Sequence, residues 1–188
     1  GLVGSERCIR DRINTCSGAV NPGCGQATSQ VGPFYCPADR QIYLDTTFFE
    51  DVLVGQLGGQ GGAFVEPYVL GHEYGHHIQN LTGMMAKVQS ARNQTGPESR
   101  QVRLELQADC YAGVWARQAN DSGKVEITQA ELLQALNAAA AVCDDRIMKN
   151  AGMRVNPESF THGSAAQRQE WFTKGYQTGD PRQCNTFA

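Results

Sequence analysis

Two histidines four residues apart, with a glutamate between them, are the side chains in this sequence best suited to chemistry: His72-Glu73-Tyr74-Gly75-His76. On a helix, positions i and i+4 stand one above the other on the same face. His72 and His76 can therefore offer imidazole nitrogens to one metal ion, and Glu73, one step round, can lean over that ion without binding it. In this spacing two histidines hold Zn²⁺ and the glutamate acts as general base on a water. His77 follows His76 and points about 100° away around the helix, which marks it as structural.

A catalytic zinc usually takes a third protein ligand. The metzincin pattern would require glycine at position 79 and histidine at position 82; the chain has Gln79 and Thr82, which excludes it. Cys36 stays open on spacing alone. The better source is Glu105-Leu106-Gln107-Ala108-Asp109. Glu105 and Asp109 share a helix face, so Glu105 can ligate while Asp109 accepts the free N–H of a ligating imidazole and fixes its tautomer. Leu104, Leu106, Ala108, Tyr111, Ala112 and Trp115 leave little of this segment solvated, and an unpaired buried acid would be costly. Ala108 and Ala112 are small enough to let the two helices approach.

The elements that must position these residues can be read from capping and breaker signals. The motif helix is expected from about Ala63 to Leu81 with Gly83 as its stop. Pro67 either marks the true start or kinks the helix before His72. Met84–Asn93 reads as a second helical piece, and Pro97 as the opener of a longer helix through Ala119. Thr128-Gln129-Ala130-Glu131 is a capping box for a helix running to about Lys149, and Ser164-Ala165-Ala166-Gln167 caps a last helix with Trp171, Phe172 and Tyr176. Ahead of the motif, Gly32–Cys36 and Gln41–Asp45 read as an antiparallel hairpin around Pro37-Ala38-Asp39-Arg40. Residues 1–30 read as irregular, and Thr46–Leu57 as a short helix with a Thr cap. The glycine run from Gly55 to Gly62 reads as a mobile loop.

At 188 residues, 40% of them hydrophobic and with a net charge of −3, the chain reads as one domain with no basic field for nucleic acid. Its parts are 1–62, irregular and β; 63–119, the zinc-binding helices; and 120–188, helical. The longest apolar stretch, 138–143, is too short to span a bilayer. Seven cysteines without a Cys-x-x-Cys pair favour disulfides in an oxidising compartment over a structural zinc ribbon. The absence of an initiator Met at Gly1 leads us to expect a leader or anchor ahead of it. Asp144-Asp145-Arg146 reads as a salt-bridged helix face rather than a calcium site.

His72-Glu73-Tyr74-Gly75-His76 followed by Glu105-x-x-x-Asp109 resembles the gluzincin arrangement of thermolysin-type peptidases. The wider run is similar to the bacterial neutral zinc metallopeptidase family. The matching stretches are Gly32–Asp39, Ile42–Asp45, His72–Gln79, Leu106–Ala116, Asp144–Ile147, His162-Gly163-Ser164, Gln167-Arg168 and Trp171-Phe172, in consistent order across residues 24–188. The resemblance implies an α+β fold: a mostly helical gluzincin-like core, a small N-terminal antiparallel hairpin or sheet, and disulfide staples. It supports the pairs Cys24–Cys36 and Cys110–Cys184, while Cys8, Cys16 and Cys143 stay open. It implies an extracytoplasmic zinc endopeptidase with one catalytic Zn²⁺ on His72, His76 and Glu105, Glu73 as base and Asp109 behind a ligand. Its partner would be an extended peptide or protein substrate.

Gluzincins add a His or Tyr that donates to the oxyanion. His162, in a Thr-His-Gly-Ser loop, is the expected donor, with Tyr111 and Tyr74 as alternatives. Substrate is expected to pair with an edge strand near Ile42–Asp45, with the glycine loop closing over it. The competing readings are a metal-stabilised binding module without turnover and a hydrolase of non-peptide amides.

Overall fold

A computed structural model describes residues 13–16, 23–25, 32–45, 47–55 and 61–188. The fold is α+β. A three-stranded sheet formed by β1 (Ile13–Cys16), β2 (Phe34–Cys36) and β3 (Gln41–Asp45) precedes a helical body. The expected hairpin is present: β2 and β3 are antiparallel, with Tyr35 opposite Ile42. Its turn is pinned by Asp39, whose carboxylate accepts the Gln41 N–H at 3.1 Å, the Gly23 N–H at 2.8 Å and the Tyr43 hydroxyl at 2.8 Å. The Cys24–Cys36 disulfide ties the preceding chain to the same corner.

Two expectations about this region are corrected. Residues 13–16 are not irregular but form β1, which pairs in parallel with β3, so the sheet is mixed. Its strand order is β1-β3-β2. The Ile42–Asp45 strand is therefore central, with both edges already hydrogen-bonded, and cannot accept a substrate strand. A seven-residue π-helical segment, Phe48–Val54, follows, burying Phe48, Phe49 and Leu53 against Leu44 and Val65. The cap expected at Thr46, the glycine loop over 56–60 and the pairing of Cys8 and Cys16 fall outside the described residues.

Helix α1 spans Val65–Leu81. Pro67 lies in its first turn, where the missing N–H has no intrahelical partner to lose, so the proline marks the start and does not kink the helix. Gly83, at φ 74°, redirects the chain into the short α2, Met84–Gln89. Helix α3 covers Arg100–Asp121. It opens at Ser99 rather than Pro97: the Ser99 hydroxyl accepts the Val102 N–H, satisfying a donor that proline's ring cannot. Helix α4, Gln129–Ala141, starts with the expected Thr128/Glu131 capping box.

The helix does not continue to Lys149. It breaks at Val142-Cys143, and α5 runs Asp144–Asn150. The cause is tertiary: Asp144 accepts the backbone N–H groups of Thr161, His162 and Gly163 at 2.7, 2.7 and 3.0 Å, and Asp145 accepts that of Ala165. These acids anchor a loop and a helix start; they do not form the expected salt-bridged face with Arg146. Helix α6, Ala165–Thr178, has the expected Ser164/Gln167 capping box and ends at Gly179.

Helix α3 is the central pillar, packed against α1 on one side and α6 on another. Glycine sets both distances. A Cβ on Gly75 would lie 2.8 Å from Ala108 Cα, and Cβ atoms on Gly113 and Gly175 would fall 2.2 Å from Phe172 O and 2.0 Å from Cys110 O. Tyr68, Ala112, Ala116, Leu136 and Phe172 form the apolar core among these helices. The Cys110–Cys184 disulfide fastens the C-terminal segment to α3.

Candidate metal centre

The close approach of α1 and α3 brings His72, His76 and Glu105 together, their ligand atoms all within 4.8 Å of one another. One carboxylate oxygen, Glu105 Oε2, lies 3.2 Å from His72 Nε2 and 3.5 Å from His76 Nε2. A tetrahedral zinc with ordinary bond lengths has ligand–ligand edges of about 3.3–3.4 Å. The two edges at Glu105 thus have the spacing that ion requires. All three residues are buried, and no buried side-chain nitrogen or oxygen among the described residues lacks a hydrogen-bond partner. Cys36, left open by its spacing, is bound in its disulfide.

Each imidazole presents Nε2 to this centre and uses Nδ1 to reach a second partner. His72 Nδ1 is 2.8 Å from Asp109 Oδ1. Asp109 is completely buried and also accepts Arg168 Nε at 2.7 Å, Arg168 Nη2 at 2.9 Å and the Tyr68 hydroxyl at 2.5 Å. His76 Nδ1 meets Gln79 Oε1 at 2.9 Å. The remaining oxygen of Glu105 accepts Gln101 Nε2 at 3.1 Å. His77 points away, to the Tyr35 hydroxyl at 3.0 Å, as the helical geometry requires.

The electrostatics of these side chains follow from their contacts. Burial opposes a charged His72, but Asp109 and Glu105 overcome it and lift its pKa to about 10. Burial also works against ionised Glu105 and Asp109, yet the imidazoles hold Glu105 well below the usual carboxylate range, and Arg168 with His72 holds Asp109 down. Protons and a divalent cation would compete for the same nitrogens. Glu73 is pushed upward by burial, while His76, His72 and the Tyr35 N–H pull the other way.

A cavity of about 570 Å³ opens onto the site. His72, Glu73, His76, Glu105, His162 and Arg168 line it, and Phe48, Leu53, Val65, Val69 and Ala138 give it an apolar wall. His162 is 54% exposed at its side chain, and its Nδ1 is held 3.3 Å from Asp144 Oδ1. That hydrogen bond raises the His162 pKa against the effect of burial. Tyr74 and Tyr111 are not part of the lining. Tyr74 packs near His77, and Tyr111 against the Cys110–Cys184 cluster.

Sequence reasoning missed Tyr68, Gln79, Arg168 and Gln107 as parts of this site. Tyr68 stands four residues before His72 and Gln79 three after His76, so the spacing argument that found the histidines could have found both. Arg168 and Gln107 carried no local signal, since their partners lie on other elements.

Residues 9–187 match the family described as "Putative neutral zinc metallopeptidase". The chain belongs to that family. Among its relatives, "Uncharacterized protein Rv2575" of Mycobacterium tuberculosis (strain ATCC 25618 / H37Rv) is 54% identical over 188 residues, covering 95% of this chain and 63% of the relative. "Uncharacterized protein YpfJ" of Escherichia coli (strain K12) is 47% identical over 174 residues, covering 91% of this chain and 59% of the relative. The chain thus spans less than two-thirds of the length of these curated relatives. No solved structure matches it. A family of zinc metallopeptidases suits a chain whose described residues bring two imidazoles and a carboxylate to one point. No helix among the described residues is long and apolar enough to cross a membrane.

Proposed function

We propose that this chain is the single peptidase domain of a zinc-dependent, gluzincin-type endopeptidase that works outside the cytoplasm, where the Cys24–Cys36 and Cys110–Cys184 disulfides persist. The observation that carries the reading is the convergence of His72, His76 and Glu105 on one point, with Glu73 lining the same cavity. His72 Nε2, His76 Nε2 and Glu105 Oε2 would hold the ion. Zinc in such a site supplies Lewis acidity, which lowers the pKa of a coordinated water to about 7 and polarises a carbonyl.

The protein's own residues supply the rest. Glu73 takes a proton from the attacking water and passes it to the leaving amide nitrogen. Burial keeps its carboxyl basic enough to accept that proton. Asp109 orients His72, with Arg168 and Tyr68 holding Asp109 in turn. His162, its Nδ1 fixed by Asp144, donates to the oxyanion from the exposed side of the cavity. The substrate is an extended peptide. The sheet edge that meets the cavity belongs to β2, whose Phe34 and Tyr35 line it, and the apolar wall suits an apolar side chain beside the cleaved bond.

Glu73→Gln tests the mechanism. It preserves shape and removes the base, so peptide cleavage should fall by about 10²–10⁴ while zinc stays bound. Unchanged peptide cleavage would overturn the assignment. A wild-type protein that binds zinc but cleaves no peptide would point to a binding module or to another amide substrate.

A further inference from the structure

We propose that Gln79 and Gln107 are positioning residues for His76, linked in a one-way hydrogen-bond chain that begins at the backbone carbonyl of Cys184. This rests on the zinc-site reading above and adds how the second imidazole is held. A carbonyl oxygen only accepts. Gln107 must therefore turn its amide nitrogen to Cys184 O, at 2.9 Å, which leaves Gln107 Oε1 facing Gln79. Gln79 donates to that oxygen at 3.1 Å, and its other amide hydrogen goes to Leu104 O at 2.7 Å. Both hydrogens of the Gln79 amide are then used, and its orientation is set twice over. Reversing it would face an oxygen against two acceptors.

Gln79 Oε1 is what remains for His76, 2.9 Å from Nδ1. An amide oxygen also only accepts, so the ring proton lies on Nδ1. In the neutral imidazole this leaves the Nε2 lone pair bare, on the side where Nε2 is 3.5 Å from Glu105 Oε2. Gln79 and Gln107 are 0% and 5% exposed, too buried for water to substitute for either amide. The end of the chain is anchored covalently: Cys184 is bridged to Cys110, three residues beyond Gln107 on α3. The disulfide thus holds the carbonyl that sets the tautomer of a ligand three hydrogen bonds away.

Zinc affinity, read by chelator competition on folded full-length chain, tests the proposal. Gln79→Met should bind zinc about 10–100-fold more weakly, and Gln107→Met about 10-fold more weakly. Because Gln107 acts through Gln79, the double variant should bind no more weakly than Gln79→Met alone. A packing role would give no loss or additive losses. Nitrogen-15 NMR of the zinc-loaded wild type gives a second measurement that needs no variant: His76 should carry its proton on Nδ1 with Nε2 on the metal. Wild-type affinity in folded Gln107→Met, additive losses, or metal on Nδ1 would each overturn the inference. If the wild type binds no zinc, the metal-site reading falls and this inference with it; if it binds zinc and the glutamine variants bind equally well, only the inference falls.

Discussion

The two imidazoles at the centre are supported by opposite kinds of chemistry. Behind His72 stands an ionised carboxylate, Asp109, clamped by the Arg168 guanidinium and the Tyr68 hydroxyl. Behind His76 stand two neutral amides that end on a backbone carbonyl. Charge balance accounts for the difference. Asp109 and Arg168 cancel, so a bound Zn²⁺ would meet the charges of Glu105 and Glu73 and leave the buried site neutral. A second carboxylate behind His76 would leave an uncompensated buried anion, which is expensive. Amides provide the same geometry with no net charge. Both branches join α1 to α3 and then diverge: Arg168 brings α6 into the anionic branch, whereas the amide branch ends on the disulfide-held tail.

The comparison breaks most visibly at Asp109. Asp109→Asn leaves Arg168 buried opposite a neutral partner, and stability should fall by about 3–5 kcal/mol in urea unfolding. Zinc affinity should fall as well, by about 10–100-fold. Gln79→Met should match that metal loss while costing only about 1–3 kcal/mol, because it strands neutral groups rather than a charge. Equal stability losses in the two variants would show that charge does not distinguish the branches. Next in size is Tyr68→Phe, which removes a hydrogen bond to a buried carboxylate. It should cost about 1.5–3 kcal/mol and weaken the His72 branch alone.

What could be read in the sequence follows the same division. His72, Glu73 and His76, and then Glu105 and Asp109, were legible because each set lies within one helix, where period 3.6 fixes the face. The capping boxes at Thr128 and Ser164 were legible for the same local reason. Arg168 was not: it reaches Asp109 across 59 residues, a contact decided by how α6 packs on α3 through Gly113 and Gly175. Gln107 had no local partner, and β1 showed no alternation strong enough to announce a parallel pairing with β3. The break at Val142-Cys143 was hidden because the alanine run contains no breaker. The tertiary bonds of Asp144 and Asp145 turn the chain there. The disulfide pairs came from family resemblance, since counting cysteines cannot assign them.

A change at the helix contact should affect both branches together. Gly75→Ala places a methyl against Ala108 backbone, which cannot rotate aside, so α3 must shift. Overpacking of this kind costs about 1–3 kcal/mol. Because α3 carries Glu105, Gln107 and Asp109, zinc affinity should fall without favouring either imidazole, and NMR shifts of His72 and His76 should move together. A perturbation confined to one ring would mean that the two branches do not share α3 as their reference.

The smallest expected effect separates the amides from carboxylate chemistry by pH. Asp144, outside both branches, has its pKa lowered: burial raises it, but the His162 ring and the N–H groups of His162 and Thr161 outweigh that. A folded pKa below the unfolded value of about 3.9 means that the ionised form is the one the fold binds. Its contribution is fully present above about pH 5 and is lost as pH falls through the folded value. In zinc-free protein, the stability difference between wild type and Asp144→Asn should therefore shrink with falling pH in that acid window. Gln107 has no proton to lose or gain, and His76 is charged there in folded and unfolded chain alike. The difference between wild type and Gln107→Met should stay flat over the same window. A slope would mean that the relay is coupled to a titrating carboxylate, and that the neutral branch is not neutral in its behaviour.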